Sequence, residues 1–325
     1  MNVAIIGCGF IGEKRSNYLA GCRLTACADA VKERAIEFAR KKPGVEATTH
    51  WQEAVARPDV DIVVVATTHN ALAEITTAAI MAGKHVLVEK PAGCSAQELD
   101  PVIALADEKK VVVRVGFNHR YHPSFIRARE IVASGEMGEL MFVRGRYGHG
   151  GRRGYDKEWR AVKELAGGGE LTDQGVHLID LARTFLGDFS QVQGFAHTYF
   201  WDMPVEDNGF MLLKTPKKQV AFLHASWTEW KNTFSFEIYG RLAKLEISGL
   251  GGSYGIERLA YYKMLPQMGP PETTIWEYPF ADTSWDVEFR LFVEDIQLGR
   301  QPDAGLRDAR AALQIVEKIY QGSSL

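Results

Sequence analysis

The sequence predicts an α/β chain, with a doubly wound parallel sheet first and an α+β domain with a mostly antiparallel sheet after it. Three observations predict this. An apolar strand, Val3–Ile6, runs directly into glycines at 7, 9 and 12. Strand and helix patterns then alternate over the first 120 residues, which is the mark of parallel pairing with helical crossovers. Beyond about residue 140, strand patterns follow one another with few helices between them, which favours antiparallel pairing.

The first strand, V-A-I-I, is apolar at every position, as a strand covered on both faces requires. Each glycine of the G-C-G-F-I-G turn then has a task. Gly7 makes the tight turn, Gly9 lets the backbone approach a pyrophosphate, and Gly12 allows close helix packing. Helix-forming residues run on to Ala20, and Gly21 closes the run. The start of that helix offers N–H groups to phosphates. A second strand, Arg23–Ala28, ends at Asp29. An acid there accepts hydrogen bonds from a ribose diol and repels a 2′-phosphate, so NAD is favoured over NADP. Asp29 also suits the cap of a helix starting near Val31, and the two roles are compatible.

The alternation continues with a helix over Val31–Lys42, stopped by Pro43-Gly44, a short strand at Val45–Thr48 and a helix over Trp51–Arg57. Asp61–Ala66 is a buried strand, and Thr67, Thr68, His69 and Asn70 make a polar turn after it. A helix over Asn70–Ala82 ends at Gly83, and the strand His85–Val88 ends in Glu89-Lys90-Pro91. Ser95 with Glu98 three residues on reads as a capping box for a helix to Lys109, before a sixth strand at Val111–Val115. The pattern divides the chain near Asn118–Pro123, into 1–120 and 121–325. In the second part a helix spans Ser124–Ala133, and strands are expected at Leu140–Tyr147, Gln191–Tyr199, Gly209–Lys214, Gln219–Trp227, Ser235–Tyr239 and Ala243–Ile247. Arg258–Lys263 and Thr274–Tyr278 are further strand patterns, and amphipathic helices at Trp285–Leu298 and Leu306–Tyr320 close the chain.

Composition narrows the function class. A hydrophobic fraction of 46% and a charged fraction of 24% are those of an ordinary globular protein. A net charge of -3 lacks the basic footprint of a nucleic-acid binder. No apolar run approaches the roughly 20 residues that span a bilayer, and the N-terminus enters a strand directly, without the pattern of a secretory signal. Cys8, Cys22, Cys27 and Cys94 have no metal-site spacing and read as reduced apolar fillers. The expectation is a cytoplasmic enzyme with a small-molecule substrate, and no nucleic-acid or membrane partner.

Two constellations carry chemistry. Lys90, at the mouth of the fifth strand, brings three donors that orient an alcohol or stabilise charge on its oxygen; the plainer reading is a surface lysine in a turn. The run Ala166–Asp180, A-G-G-G-E-L-T-D-Q-G-V-H-L-I-D, leads into a helix expected over Thr172–Leu186. On it Asp173, His177 and Asp180 share one face at i, i+4, i+7, with Leu178, Leu181, Ala182 and Phe185 on the apolar side. A histidine titrating near neutrality suits proton transfer, and a carboxylate one turn away supports it or binds the same substrate. Asp173 and His177 are plausible metal ligands, but regular spacing supplies no third or fourth, so no metal is expected. Arg144, Arg146, Arg152, Arg153, Lys157, Arg160 and Lys163 crowd the segment before the glycines and suit either an anionic substrate group or a solvated loop.

Taken together, the glycine turn, Asp29, Glu89-Lys90-Pro91, Gly116-Phe117-Asn118-His119-Arg120, Trp159-Arg160 and the G-G-G-x-L-x-D-x-G-x-H-x-x-D run resemble the Gfo/Idh/MocA family of glucose–fructose oxidoreductase and inositol dehydrogenase. The resemblance covers essentially the whole chain. It implies an N-terminal Rossmann domain and a C-terminal α+β domain with a large open sheet that forms a homodimer or homotetramer interface. It implies NAD-dependent hydride transfer at a secondary hydroxyl or ketone of a sugar or cyclitol, and the basic segment keeps open an anionic or nucleotide-linked one. Lys90 and His177 are then catalytic, with Asp173 binding hydroxyls or supporting His177, and the Lys90–Pro91 bond is expected to be cis. The resemblance places Gly7, Gly9, Phe10, Ile11, Gly12, Asp29, Thr67, Thr68, His69, Glu89, Lys90, Asn118, Trp159 and Arg160 at the cofactor. It places Lys90, Asn118, Arg120, Arg160, Asp173 and His177 at the substrate. Two positions depart from the family pattern: Leu72 stands where a histidine is usual, and His119 where an arginine is common. The alternative function is a dinucleotide-binding regulator without turnover, which has no need of a proton donor.

Overall fold

A computed structural model describes residues 1–323. In chain order the first elements are β1 (Asn2–Ile6), α1 (Phe10–Arg15), β2 (Arg23–Ala28), α2 (Lys32–Arg40), β3 (Glu46–Thr48), α3 (Trp51–Ala56), β4 (Ile62–Val65), α4 (His69–Met81), β5 (His85–Val88), α5 (Ala96–Lys109) and β6 (Val113–Val115). The chain continues through α6 (Pro123–Ala133), β7 (Leu140–Gly148), α7 (Lys163–Ala166), α8 (Val176–Leu186), β8 (Gln191–His197), β9 (Asn208–Lys214) and β10 (Val220–Ser226). It ends with β11 (Thr233–Gly240), β12 (Ala243–Ser248), β13 (Glu257–Lys263), β14 (Glu272–Tyr278), α9 (Ser284–Leu298) and α10 (Leu306–Gly322).

Two compact units result. The first holds Met1–Phe117 and also takes in Glu164–Gly167 and Trp285–Gln314; the second holds Asn118–Lys163, Gly168–Ser284 and the chain from Ile315 on. The units therefore do not coincide with the division 1–120 and 121–325 drawn from the sequence pattern. The reason lies in α9: its Phe289 and Phe292 are fully buried in the core of the first unit, with Val3, Ile5, Ile62 and Leu87.

The first unit is built on a six-stranded sheet in the order β3-β2-β1-β4-β5-β6, with every pair parallel. Strand order reverses between β1 and β4, the switch point at which such sheets bind ligands. Helix α1 is shorter than the sequence pattern suggests. After Arg15 the N–H groups of Asn17 and Tyr18 bond three residues back instead of four, and Ala20 and Gly21 take left-handed φ of 47° and 80°. Tight turns of this kind satisfy the last carbonyls of a helix and end it. Ser95 Oγ accepts from the Glu98 N–H at 3.3 Å, as the capping pattern requires. Glu98 reaches the N–H of Cys94 at 2.9 Å, one residue earlier than a reciprocal box.

The second unit carries an eight-stranded sheet in the order β14-β13-β12-β11-β7-β10-β9-β8. All its pairs are antiparallel except β7 with β10. Alternation along β11 explains the two faces: Phe234, Phe236 and Ile238 are buried, whereas Ser235, Glu237 and Tyr239 between them are half-exposed. Helices α6 and α8 cover the buried face, where Phe125 meets Phe234 and Phe236 edge-on at 5.9 and 5.5 Å. The opposite face leaves Phe195 and Phe222 exposed at 69% and 51%. Among the described residues no helix is long and apolar enough to cross a membrane.

Candidate functional site

In the first unit the turn after β1 is shaped by steric demands. Gly7 has φ 97°, and a Cβ on it would lie 2.3 Å from the Ala66 carbonyl oxygen. A Cβ on Gly12 would lie 1.9 Å from the Gly7 carbonyl oxygen, so no larger residue fits. Gly9, the N-cap of α1, faces open space within 4 Å. A backbone exposed in this way is what a pyrophosphate needs to approach closely. Phe10 follows, 81% exposed, and Ile11 is half-buried.

Asp29 sits beside the turn. Its Oδ2 accepts from the Cys8 N–H at 2.8 Å and its Oδ1 from the Val31 N–H at 2.9 Å. The carboxylate thus ties the turn to the Val31 N–H, but it does not cap α2 as expected: the helix begins at Lys32 and its N-cap is Val31, with no side-chain cap bond. Thr67 and Thr68 are half-buried after β4, and Thr68 Oγ1 donates to Asn70 Oδ1 at 2.7 Å. His69 does not lie in the polar turn expected for it. It opens α4 and is buried, with Nδ1 2.8 Å from the Ala166 carbonyl oxygen.

Lys90 is half-buried at the end of β5, and the Lys90–Pro91 bond is cis. The preceding Glu89, expected at the cofactor, has its carboxylate in a buried ion-pair cluster. Arg15 Nε and Nη2 lie 2.7 and 2.6 Å from Glu89 Oε1, and Arg15 Nη1 donates to Glu288. The indole of Trp285 stacks 4.3 Å from the guanidinium. Burial pushes the Glu288 carboxyl above its ordinary range. No motif announced this cluster, because Arg15 and Glu288 stand 273 positions apart.

The second unit carries Asp173 and His177. Leu171–Gly175 form a π-helical turn ahead of α8, so the α-helical face drawn through Asp173 and His177 begins only at Val176. Gly169 is needed at its start, since a Cβ there would lie 2.0 Å from the Glu206 carbonyl oxygen. The Glu206 side chain anchors the turn: it accepts from the N–H groups of Gly169 and Leu171, both at 3.0 Å, and from the Tyr320 hydroxyl at 2.7 Å. Burial raises the Glu206 carboxyl, while Tyr320 and the two N–H groups pull it down. Neither Glu206 nor Tyr320 carried any signal in the sequence.

Trp159 and Arg160 occupy a short 3₁₀ turn, with the guanidinium 4.5 Å from the Trp159 ring. Arg160 Nε donates to Asp173 Oδ2 at 2.9 Å, and that carboxylate holds the guanidinium pKa above its ordinary value. The structure therefore brings Trp159, Arg160 and Asp173 together. Arg120, expected at the substrate, is buried and donates through Nε to Asp180 Oδ2 at 2.7 Å, with Nη2 on the other oxygen. Asn118, also expected at the ligands, is buried, with Nδ2 donating to Ser284 Oγ at 2.9 Å. Both side chains meet partners that single-sequence reading cannot pair with them. His177 is 5% exposed, and its ring stacks on that of His119 with centroids 3.9 Å apart. The basic segment does not act as one cluster: Arg144 pairs with Glu237, Arg152 with Glu158 and Arg160 with Asp173. Among the described residues no three His, Cys, Asp or Glu side chains are grouped as metal ligands would be.

Comparison with known proteins agrees with this reading at the level of family. Residues 1–117 match the profile described as "Oxidoreductase family, NAD-binding Rossmann fold", and residues 125–246 match the GFO/IDH/MocA C-terminal domain. The chain belongs to the Gfo/Idh/MocA family of oxidoreductases. Its first unit is an NAD-binding Rossmann domain. Levoglucosan dehydrogenase of Pseudarthrobacter phenanthrenivorans is 31% identical over 228 residues, which are 66% of this chain and 58% of that protein. The alignment thus leaves more than a third of that relative uncovered. Inositol 2-dehydrogenase of Salmonella paratyphi B is 25% identical over 313 residues, covering 93% of this chain and 88% of that one. A levoglucosan dehydrogenase solved in complex with NADH has a TM-score of 0.87 at 24% identity, covering 99% of this chain and 98% of that one; at that identity the likeness is one of fold.

Proposed function

We propose that this chain transfers hydride reversibly between NAD and a secondary hydroxyl or ketone of a sugar or cyclitol. The observation that carries the reading is the Arg160–Asp173 pair at the π turn directly ahead of the buried His177, in a chain whose other unit binds NAD. Relatives named for a sugar and for a cyclitol support the substrate class.

NAD, when bound, supplies the hydride acceptor. His177 takes the hydroxyl proton, as a neutral imidazole can. Lys90 donates a hydrogen bond to the same oxygen and stabilises the negative charge that develops on it. Asp173, held by Arg160 through Oδ2, keeps acceptor capacity for a neighbouring substrate hydroxyl. Asp29 binds the ribose diol and disfavours a 2′-phosphate. Because Arg144, Arg152 and Arg160 already face acids, we favour an uncharged polyol over an anionic or nucleotide-linked sugar.

Lys90→Met tests the mechanism. Turnover is expected to fall by at least a hundredfold, while NADH titrated into the variant binds as in wild type; undiminished turnover removes Lys90 from the chemistry. We also propose that the open face of the eight-stranded sheet, with Phe195, Leu212 and Phe222 exposed, is covered by a second copy of the chain. Light scattering is expected to give a dimer or tetramer of the 36.2 kDa chain; a monomer at micromolar concentration contradicts this.

A further inference from the structure

His119 stands where the family often carries arginine, and the structure shows what the imidazole does instead. Its ring lies on His177 at 3.9 Å between centroids and 25° between planes. Both rings are buried, at 6% and 5% exposure. Behind His119 runs a directional hydrogen-bond relay. Ser284 Oγ lies 2.5 Å from Asp282 Oδ1, and a carboxylate only accepts, so the hydroxyl proton points to Asp282. The Ser284 oxygen is then the acceptor for Asn118 Nδ2 at 2.9 Å. That fixes the Asn118 amide with Oδ1 towards His119 Nδ1, at 3.2 Å. His119 Nδ1 must therefore carry a proton, and Nε2 is the atom left to titrate.

We propose that His119 is a positioning residue for His177: it fixes the plane of the catalytic ring and restricts the stacked pair to one added proton. The proposal rests on the reading of His177 as proton acceptor and adds how its proton affinity is set. Two imidazolium rings at this spacing, away from water, repel strongly, so the second proton is resisted. The pair then titrates as a unit, in two separated steps.

The surrounding charged groups do not remove the effect. Asp180 is paired with Arg120, and Asp173 with Arg160. His122, edge-on to His119 at 5.7 Å, has Nδ1 2.9 Å from Glu257 Oε2 and Nε2 3.9 Å from Asp282. Tyr147, 5.1 Å from His119, has its hydroxyl pKa raised by burial, and Tyr254 beside it is pushed up to about 12, so both are neutral. Glu170 is buried at the N-cap of the π turn; a carboxylate there would favour a first proton on the pair and leave the repulsion of the second in place.

The test is an ¹⁵N NMR titration of the histidine ring nitrogens in the full chain with NADH bound, comparing wild type with H119F, H119R and S284A. In wild type, His119 is expected to show the Nδ1–H tautomer, and the pair two steps at least about two units apart. In H119F the stacked face is kept and His177 titrates in a single step. In H119R a permanent cation lowers the His177 step by about two to three units. S284A leaves both rings in place and mixes the His119 tautomers. Independent titration of the two rings in wild type, an Nε2–H tautomer, or a His177 step that H119R leaves unmoved overturns the proposal. These readouts need no turnover, so they hold whether or not the proposed reaction is found. With a substrate in hand, H119R is expected to extend the acid limb of kcat/KM to lower pH by the same shift.

Discussion

Replacing Arg15 by methionine tests how the first unit holds the loop that carries Lys90. Arg15 is 1% exposed and is the cation between Glu89, at 2.7 and 2.6 Å, and Glu288. Methionine fills much of the same volume but leaves two carboxylates buried together. Removing one partner of a buried pair costs about 3–5 kcal/mol, because the remaining charge is uncompensated. At about 2–4 °C per kcal/mol for a unit of this size, the calorimetric transition of the first unit should fall by roughly 6–20 °C. The control is Glu288→Gln, which keeps the Arg15–Glu89 contact and removes one buried charge. Burial raises the Glu288 carboxyl, so the folded chain holds that proton to higher pH than the unfolded one. Its contribution to stability therefore falls as pH rises from the ordinary carboxylate range through the raised value, and Glu288→Gln should flatten that slope. Turnover should drop in Arg15→Met, since Glu89 adjoins Lys90. An Arg15→Met protein that melts within a degree of wild type refutes the reasoning.

Two further outcomes follow from the same kind of argument. Glu206→Gln sets an NH₂ group against an N–H that now donates to the carboxylate, so chemical denaturation should show a loss of about 2–3 kcal/mol, against almost none if the side chain is not anchoring the π turn. Asp29→Asn removes the charge expected to repel a 2′-phosphate, so steady-state kinetics should show the NAD-over-NADP preference shrinking by about tenfold or more; an unchanged ratio would place nucleotide selection elsewhere.

The strands and the glycine turn were legible because their causes are local. An all-apolar V-A-I-I is a strand buried on both faces, and the sterics at Gly7 and Gly12 leave room for no other residue. The cap at Ser95 was legible for the same reason. What escaped was every feature that needs two distant positions. The Arg15–Glu89–Glu288 cluster, Glu206 under the π turn and the relay from Asp282 to His119 each join segments far apart in sequence. Asp173 and His177 were singled out by type and spacing, but the π turn, which alters the geometry between them, is anchored by the distant Glu206 and Tyr320 together with Gly169 of the run. The basic segment, open in sequence to an anion site or a solvated loop, needed distant positions in the same way. Its charges are adjacent in sequence, yet the fold places acids from β11 and from its own loop against them.

The most direct measurement is NADH formation from NAD by the purified chain, over a panel of free sugars, anhydrosugars, cyclitols, sugar phosphates and nucleotide sugars. Turnover with uncharged sugars or cyclitols, abolished in Lys90→Met and in His177→Ala, is the expected result. Tight NADH binding with no turnover on any member of the panel, in either direction, would contradict the proposed reaction and favour a dinucleotide-binding regulator.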